Sequence, residues 1–310
     1  MRRAPRLRDS VSFSTLIDMY SDTHFHFPQL CDGDVSYGAQ VLTALVARGC
    51  FFGLDIGTQA DDVFTREAFA AKCMQQIADD AVREQAGALL YFSAGIWPAA
   101  GAITARTEQV ETLAAAIMQV NDQQQVPHAR VVAVGECGLD HHWTPGGVDG
   151  RTPFDAALIH GEAELFEMQL ALAHKLQLPV IVHSRDAYAD TLACIKRSGY
   201  DNGVIHCYSY GAEEAVQFVE RGWYIAFGGA VTYAKKHAVA DIQRTIRAVP
   251  DERLLLETDA PYLSPVPLRG QKNTPLNIEH TYRFVAAARG TTVEALSAQV
   301  DENVRRLFSV

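Results

Sequence analysis

PVIVHSRDAYADTLACIKRSG, residues 179–199, reads as one strand and one helix. The three apolar residues after Pro179 lack the polar alternation of a half-solvated strand, so they suit a parallel strand buried on both faces. The run stops at His183, and Asp186 then stands as an N-cap for a helix over Asp186–Ser198. A polar residue closing a buried parallel strand lies where α/β barrels place their chemistry, at the C-terminal strand ends.

The same grammar recurs along the chain. Strands are expected at MYSDTHF (19–25), CFFGLDIG (50–57), LLYFSAGIWP (89–98), VVAVGE (131–136), GVIHC (203–207), WYIAFGG (223–229) and LLLET (254–258). Helices are expected at 35–48, 61–80, 104–120, 163–176 and 213–221, with closing helices near 276–290 and 293–308. Eight strand-then-helix units fit a (β/α)8 TIM barrel in a chain of 310 residues. The domain is expected over residues 19–310, after a flexible, Arg-rich extension at 1–18 that makes no convincing secretory signal.

Composition excludes some classes. No apolar run approaches the length of a membrane span. The net charge of −10 argues against electrostatic coating of duplex DNA, though not against a nucleic-acid enzyme with a few local cations. The six cysteines form no Cys-x-x-Cys pair, so neither a zinc knuckle nor a thioredoxin motif is present; free thiols in a reducing cytoplasm are expected.

Six strand-end residues could bind metal: His24 and His26 in SDTHFHF, Glu136 in VVAVGECGLD, His183, His206 in GVIHCYS, and Asp259 in LLLETDAP. Residues i and i+2 of a strand point the same way, so His24 and His26 can reach one ion. His183 and His206, each at a strand end, extend that set. Glu136 stands between two glycines, where a carboxylate can bridge two cations, and Asp259 can bind metal and accept the proton of an attacking water. Four imidazoles and two carboxylates would hold two divalent cations, with Mg, Mn and Zn all candidates. Metal-assisted hydrolysis is the expected chemistry.

SDTHFHF, GECGLD, PVIVHSRDA, GVIHCYS, LLLETDAPYLSP, RGQKNTP and the tail Asn303–Phe308 together resemble the TatD-like family, from Met19 to the C-terminus. The resemblance implies a metal-dependent deoxyribonuclease of the amidohydrolase-type barrels, with 3′–5′ exonuclease action in some members. It implies one metal on His24, His26 and Asp259, a second on His183 and His206, and Glu136 between them. DNA, single-stranded or end-bearing, is then the expected substrate. Arg185, Arg269 and Lys272 are candidate phosphate contacts, and Asp140 a candidate for orienting a ligand or water. Where the family carries Gly-x-His-Pro, this chain has Gly95-Ile96-Trp97-Pro98; Trp97 is either a base-stacking or a packing residue. A Gly/Pro-rich insert, HHWTPGGVDGRTP (141–153), follows Asp140 and could reshape substrate access. A hydrolase of small esters, lactones or amides and a non-catalytic adaptor are the rival readings.

Overall fold

Eight strands lie side by side in sequence order, each parallel to the next. The computed structural model describes residues 20–122, 131–142, 156–235 and 238–310. The 1–18 extension and all but the first two residues of the 141–153 insert lie outside the described residues. The strands are β1 (Ser21–Phe25), β2 (Phe52–Asp55), β3 (Leu90–Ala94), β4 (Val131–Asp140), β5 (Val180–Arg185), β6 (Gly203–Ile205), β7 (Tyr224–Phe227) and β8 (Leu254–Leu256). The helices are α1 (Phe27–Leu30), α2 (Val35–Ala47), α3 (Val63–Gln75), α4 (Asp80–Leu89), α5 (Ala100–Thr104), α6 (Arg106–Asp122), α7 (Ala156–Leu176), α8 (Tyr188–Ser198), α9 (Ala212–Val219), α10 (Val239–Ala248), α11 (Ile278–Arg289) and α12 (Val293–Phe308). This is the expected (β/α)8 barrel.

The barrel closes between its first and last strands. Phe25 bridges Ala260 in parallel, the Asp259 amide donates to the His24 carbonyl (2.8 Å), and the His26 amide donates to the Ala260 carbonyl (2.8 Å). Inside the seam, buried Asp22 accepts from the Thr258 amide (2.9 Å) and the Thr258 hydroxyl (2.6 Å). Burial pushes the Asp22 carboxyl up to about 8, against the pull of those bonds. The C-terminal helices grip the same strand: Tyr282 of α11 exchanges hydrogen bonds with the Ser21 backbone, and the Ser21 hydroxyl donates to Asp301 of α12.

Several local expectations are corrected. Asp186 does not cap α8: the N-cap is Ala187, and Asp186 has a φ of 54° and faces His142 at 3.0 Å. The stretch expected as one helix over 61–80 ends at Gln75, and a separate α4 begins at Asp80, its amides capped by Asp79. Helix α10 was not foreseen, although Val239, Ile242 and Ile246 recur at i, i+3 and i+7 and mark one apolar face. Of the six free cysteines, Cys50 and Cys207 are only partly buried.

Candidate metal centre

Glu136 sits within β4 rather than at its end, because the strand runs on to Asp140. Two glycines make this possible. Gly135 and Gly138 hold φ values of 146° and 143°, a region open to glycine and rarely to other residues. A Cβ on Gly138 would lie 1.9 Å from the His183 carbonyl oxygen, so only a bare backbone passes β5 this closely. The register between β4 and β5 shifts between Val134 and Cys137, and the Glu136 amide bonds the Gly57 carbonyl of the β2 loop (2.8 Å). The GECG motif is therefore an irregularity that holds a carboxylate at the barrel mouth.

The carboxylate's two oxygens face different partners. Oε1 lies 2.9 Å from His183 Nδ1 and 3.1 Å from His206 Nε2. Oε2 lies 3.5 Å from His24 Nε2 and 3.9 Å from His26 Nε2. Asp259 Oδ1 stands 3.6 Å from His24 Nε2 and 3.5 Å from His26 Nε2. All six expected residues thus converge. Asp259 reaches the group through a left-handed backbone, φ 56°, a conformation that Asp tolerates better than most residues.

Burial makes this cluster chemically demanding. His24 is fully buried and neither ring nitrogen has a hydrogen-bond partner; His26 Nδ1 and His206 Nδ1 are likewise unbonded. Burial, with the neighbouring His206, pulls the His24 imidazole down. Burial opposes ionisation of Glu136, yet the surrounding imidazoles, His206 foremost, hold its carboxyl well below the usual range. The same pairing, with Glu257 adding to it, lifts His206 well above its ordinary value despite burial.

A divalent cation among these groups would satisfy His24 Nε2, the orphaned nitrogen that faces Glu136 and Asp259. Ligand atoms bound tetrahedrally at about 2.1 Å stand about 3.4 Å apart, close to the spacings between His24, His26 and Asp259. Among the described residues, three groups could hold an ion: His24, His26 and Asp259; Glu136, His183 and His206; and His24, His206 and Glu257.

Supporting carboxylates complete the arrangement. Asp140 Oδ2 lies 2.8 Å from His183 Nε2, on the ring edge facing away from Glu136. Glu257 Oε1 lies 3.4 Å from His206 Nδ1 and accepts from the Cys207 amide (2.6 Å). Such carboxylates fix a ring's orientation and its tautomer. The sequence reading missed Glu257. Its signal was available: in LLLETD it stands two residues before Asp259, after a run too apolar to need a solvated charge.

The other candidate contacts separate. Lys272 is ion-paired with Asp32 at 2.6 Å, so its charge is already offset. Arg269 lies over the Tyr233 ring, 4.4 Å from the centroid. Arg185 is exposed at the end of β5, where its carbonyl accepts from the His141 amide. Trp97 is half-buried, edge-on to His183 with ring centroids 6.0 Å apart.

The profile of the TatD related DNase family matches residues 21–309. The chain belongs to this family. It is similar to the uncharacterized metal-dependent hydrolase YabD of Bacillus subtilis, 35% identical over 59% of this chain and 67% of the relative. The 3′-5′ ssDNA/RNA exonuclease TatD of Klebsiella pneumoniae is 36% identical over 58% of this chain and 66% of that protein. For YcfH of Escherichia coli, an uncharacterized metal-dependent hydrolase, the match spans 63% of the relative's length, less than two thirds. Among solved structures, YjjV, a TatD homologue of E. coli K12, superposes with a TM-score of 0.74 at 28% identity, covering 95% of this chain and 100% of that one. Among the described residues, no helix is long and apolar enough to cross a membrane.

Proposed function

We propose that this protein is a two-metal phosphodiesterase that removes nucleotides from the ends of single-stranded DNA. The observation carrying the reading is the division of Glu136, one oxygen toward His24 and His26 and the other toward His183 and His206. In this reading His24, His26 and Asp259 hold one divalent cation, His183 and His206 hold the other, and Glu136 serves both. When bound, the cations polarise the phosphoryl group and offset the charge that builds on it. An imidazole-rich set suits Mn or Zn better than Mg.

The protein's own residues divide the remaining work. Asp259 Oδ1 faces the imidazoles of His24 and His26, which leaves Oδ2 to take the proton of the attacking water. At 14% side-chain exposure Asp259 is also more open to water than Glu136 at 6%. Asp140 and Glu257 hold the rings of His183 and His206 in place. Arg185 supplies a charge beside His183 for a neighbouring phosphate. The net charge of −10 disfavours a long duplex, whereas an unpaired end presents its phosphate without strand opening. The relative named as a 3′-5′ ssDNA/RNA exonuclease supports the same substrate class.

The test compares an end-labelled linear oligonucleotide with a circular single strand, after chelation and re-addition of Mn. Mononucleotide release from the linear strand alone is expected. Equal cleavage of the circle would overturn the end-directed reading. Turnover of small esters or lactones without any cleavage of nucleic acid would overturn the nuclease.

A further inference from the structure

The imidazoles of the cluster form a continuous path of ring contacts, with an aromatic residue at each end. His24 and His206 are stacked at 3.9 Å; His206 meets His183 at 5.6 Å, and His24 meets His26 at 5.2 Å. Beyond His183 stands Trp97, at 6.0 Å, and beyond His26 stands Tyr262, at 5.9 Å. Tyr262 is 55% exposed, among the few large apolar side chains left open to water. An aromatic ring in that position leaves unused the stabilisation its burial would bring.

Both rings are mounted on rigid backbone. The fully buried Asn273 amide donates to the carbonyls of Thr258 (3.0 Å) and Tyr262 (2.7 Å), and the Tyr262 amide donates to the Asp259 carbonyl (2.8 Å). At the other end, buried Gln169 of α7 accepts from the Ile96 amide (2.8 Å) and donates to the Ile96 carbonyl (3.0 Å), one residue before Trp97. The Trp97 amide is itself bonded to the Thr58 carbonyl (3.0 Å). Two buried carboxamides on opposite flanks of the cluster therefore hold two aromatic residues in place, so little order is lost when a flat ligand stacks there.

We infer that Trp97 and Tyr262 are paired stacking platforms, each taking one unpaired nucleobase on either side of the phosphate at the cluster. The inference rests on the nuclease reading and adds what holds the substrate. Every base has a π-face, so two such platforms grip a strand without reading its sequence. A paired base has its faces covered by neighbours and is excluded.

The test uses Mn-loaded protein and a fluorescein-labelled, phosphorothioate-linked oligothymidylate, which reports binding without turnover. Y262A and W97A should each weaken Kd about 5- to 150-fold, the range of one lost stacking contact, while Y262F and W97F stay within a few-fold of wild type. Metal content should not change. An abasic residue at the terminal or the penultimate position should abolish the penalty of one alanine variant each. Wild-type Kd in both alanine variants, with wild-type protein still cleaving single strands, would overturn the platforms and leave the nuclease standing. So would penalties that persist in full on both abasic strands. Wild-type protein that neither binds nor cleaves any oligonucleotide would overturn the nuclease reading and the platforms with it.

Discussion

Replacing Asp140 by asparagine should weaken one metal-binding step and spare the other. Asp140 Oδ2 stands 2.8 Å from His183 Nε2, and its other oxygen accepts from the His142 amide at 2.9 Å. Asparagine has the same shape but cannot serve both partners. With its oxygen on the His142 amide, it turns an N–H toward the imidazole N–H; flipped, it abandons His142. The loss is one hydrogen bond to a charged group in a buried setting, about 1.5–3 kcal/mol. That corresponds to roughly 10- to 100-fold in affinity, the usual scale for removing a carboxylate behind a metal-bound histidine. His24, His26 and Asp259 form a ligand group that does not include His183, so their ion should bind as before. Competition against a chromophoric chelator resolves the two steps. Equal weakening of both, or of neither, would refute the argument that Asp140 acts through His183.

Three other outcomes are expected. Gly138→Ala places a Cβ 1.9 Å from the His183 carbonyl at a φ of 143°, and should lower stability by about 3 kcal/mol and reduce metal uptake, measured by denaturant unfolding and metal analysis. Asp301→Asn should flatten the pH dependence of stability: burial raises the Asp301 carboxyl from 3.8 to about 6, so its contribution is full below 3.8 and is lost as pH rises through 6. Relative to that variant, wild type should lose on the order of 2–3 kcal/mol across this window, read by urea titrations at several pH values. Chelation should lower the thermal midpoint, since an ion at a hundred times its Kd stabilises the folded state by about 2.7 kcal/mol per site; an unchanged midpoint in scanning calorimetry would count against tight binding.

The fold was legible because a parallel strand buried on both faces leaves an unbroken apolar run, and in this chain most such runs end in a polar residue. PVIVH, GVIH and VVAVGE each announced both a strand and a candidate ligand. What stayed hidden depends on contacts between distant segments. Glu257 acts by facing the outer edge of His206, and Asp140, already a candidate for orienting a ligand or water, faces His183; the identity of each partner cannot be read within LLLET or GECGLD. Lys272 read as a cation for phosphate because its partner, Asp32, lies far off in the turn between α1 and α2. Asp186 has the chemistry of an N-cap, but its side chain turned toward His142, a choice set by tertiary packing rather than by local propensity.

The seam between β1 and β8 also bears on how the chain is made. Asp22 and Thr258, which lock that seam, are 236 positions apart. The clamps from Tyr282 and Asp301 onto Ser21 come from later still. At about 5–20 residues per second, the first strand emerges from the ribosome between ten seconds and a minute before its partner exists. During that interval β1 has one open edge, and His24 and His26 lack Asp259. A nascent chain therefore has no complete binding cluster. The six-residue cluster is complete only once the segment carrying Asp259 has been made, so it is assembled late in synthesis.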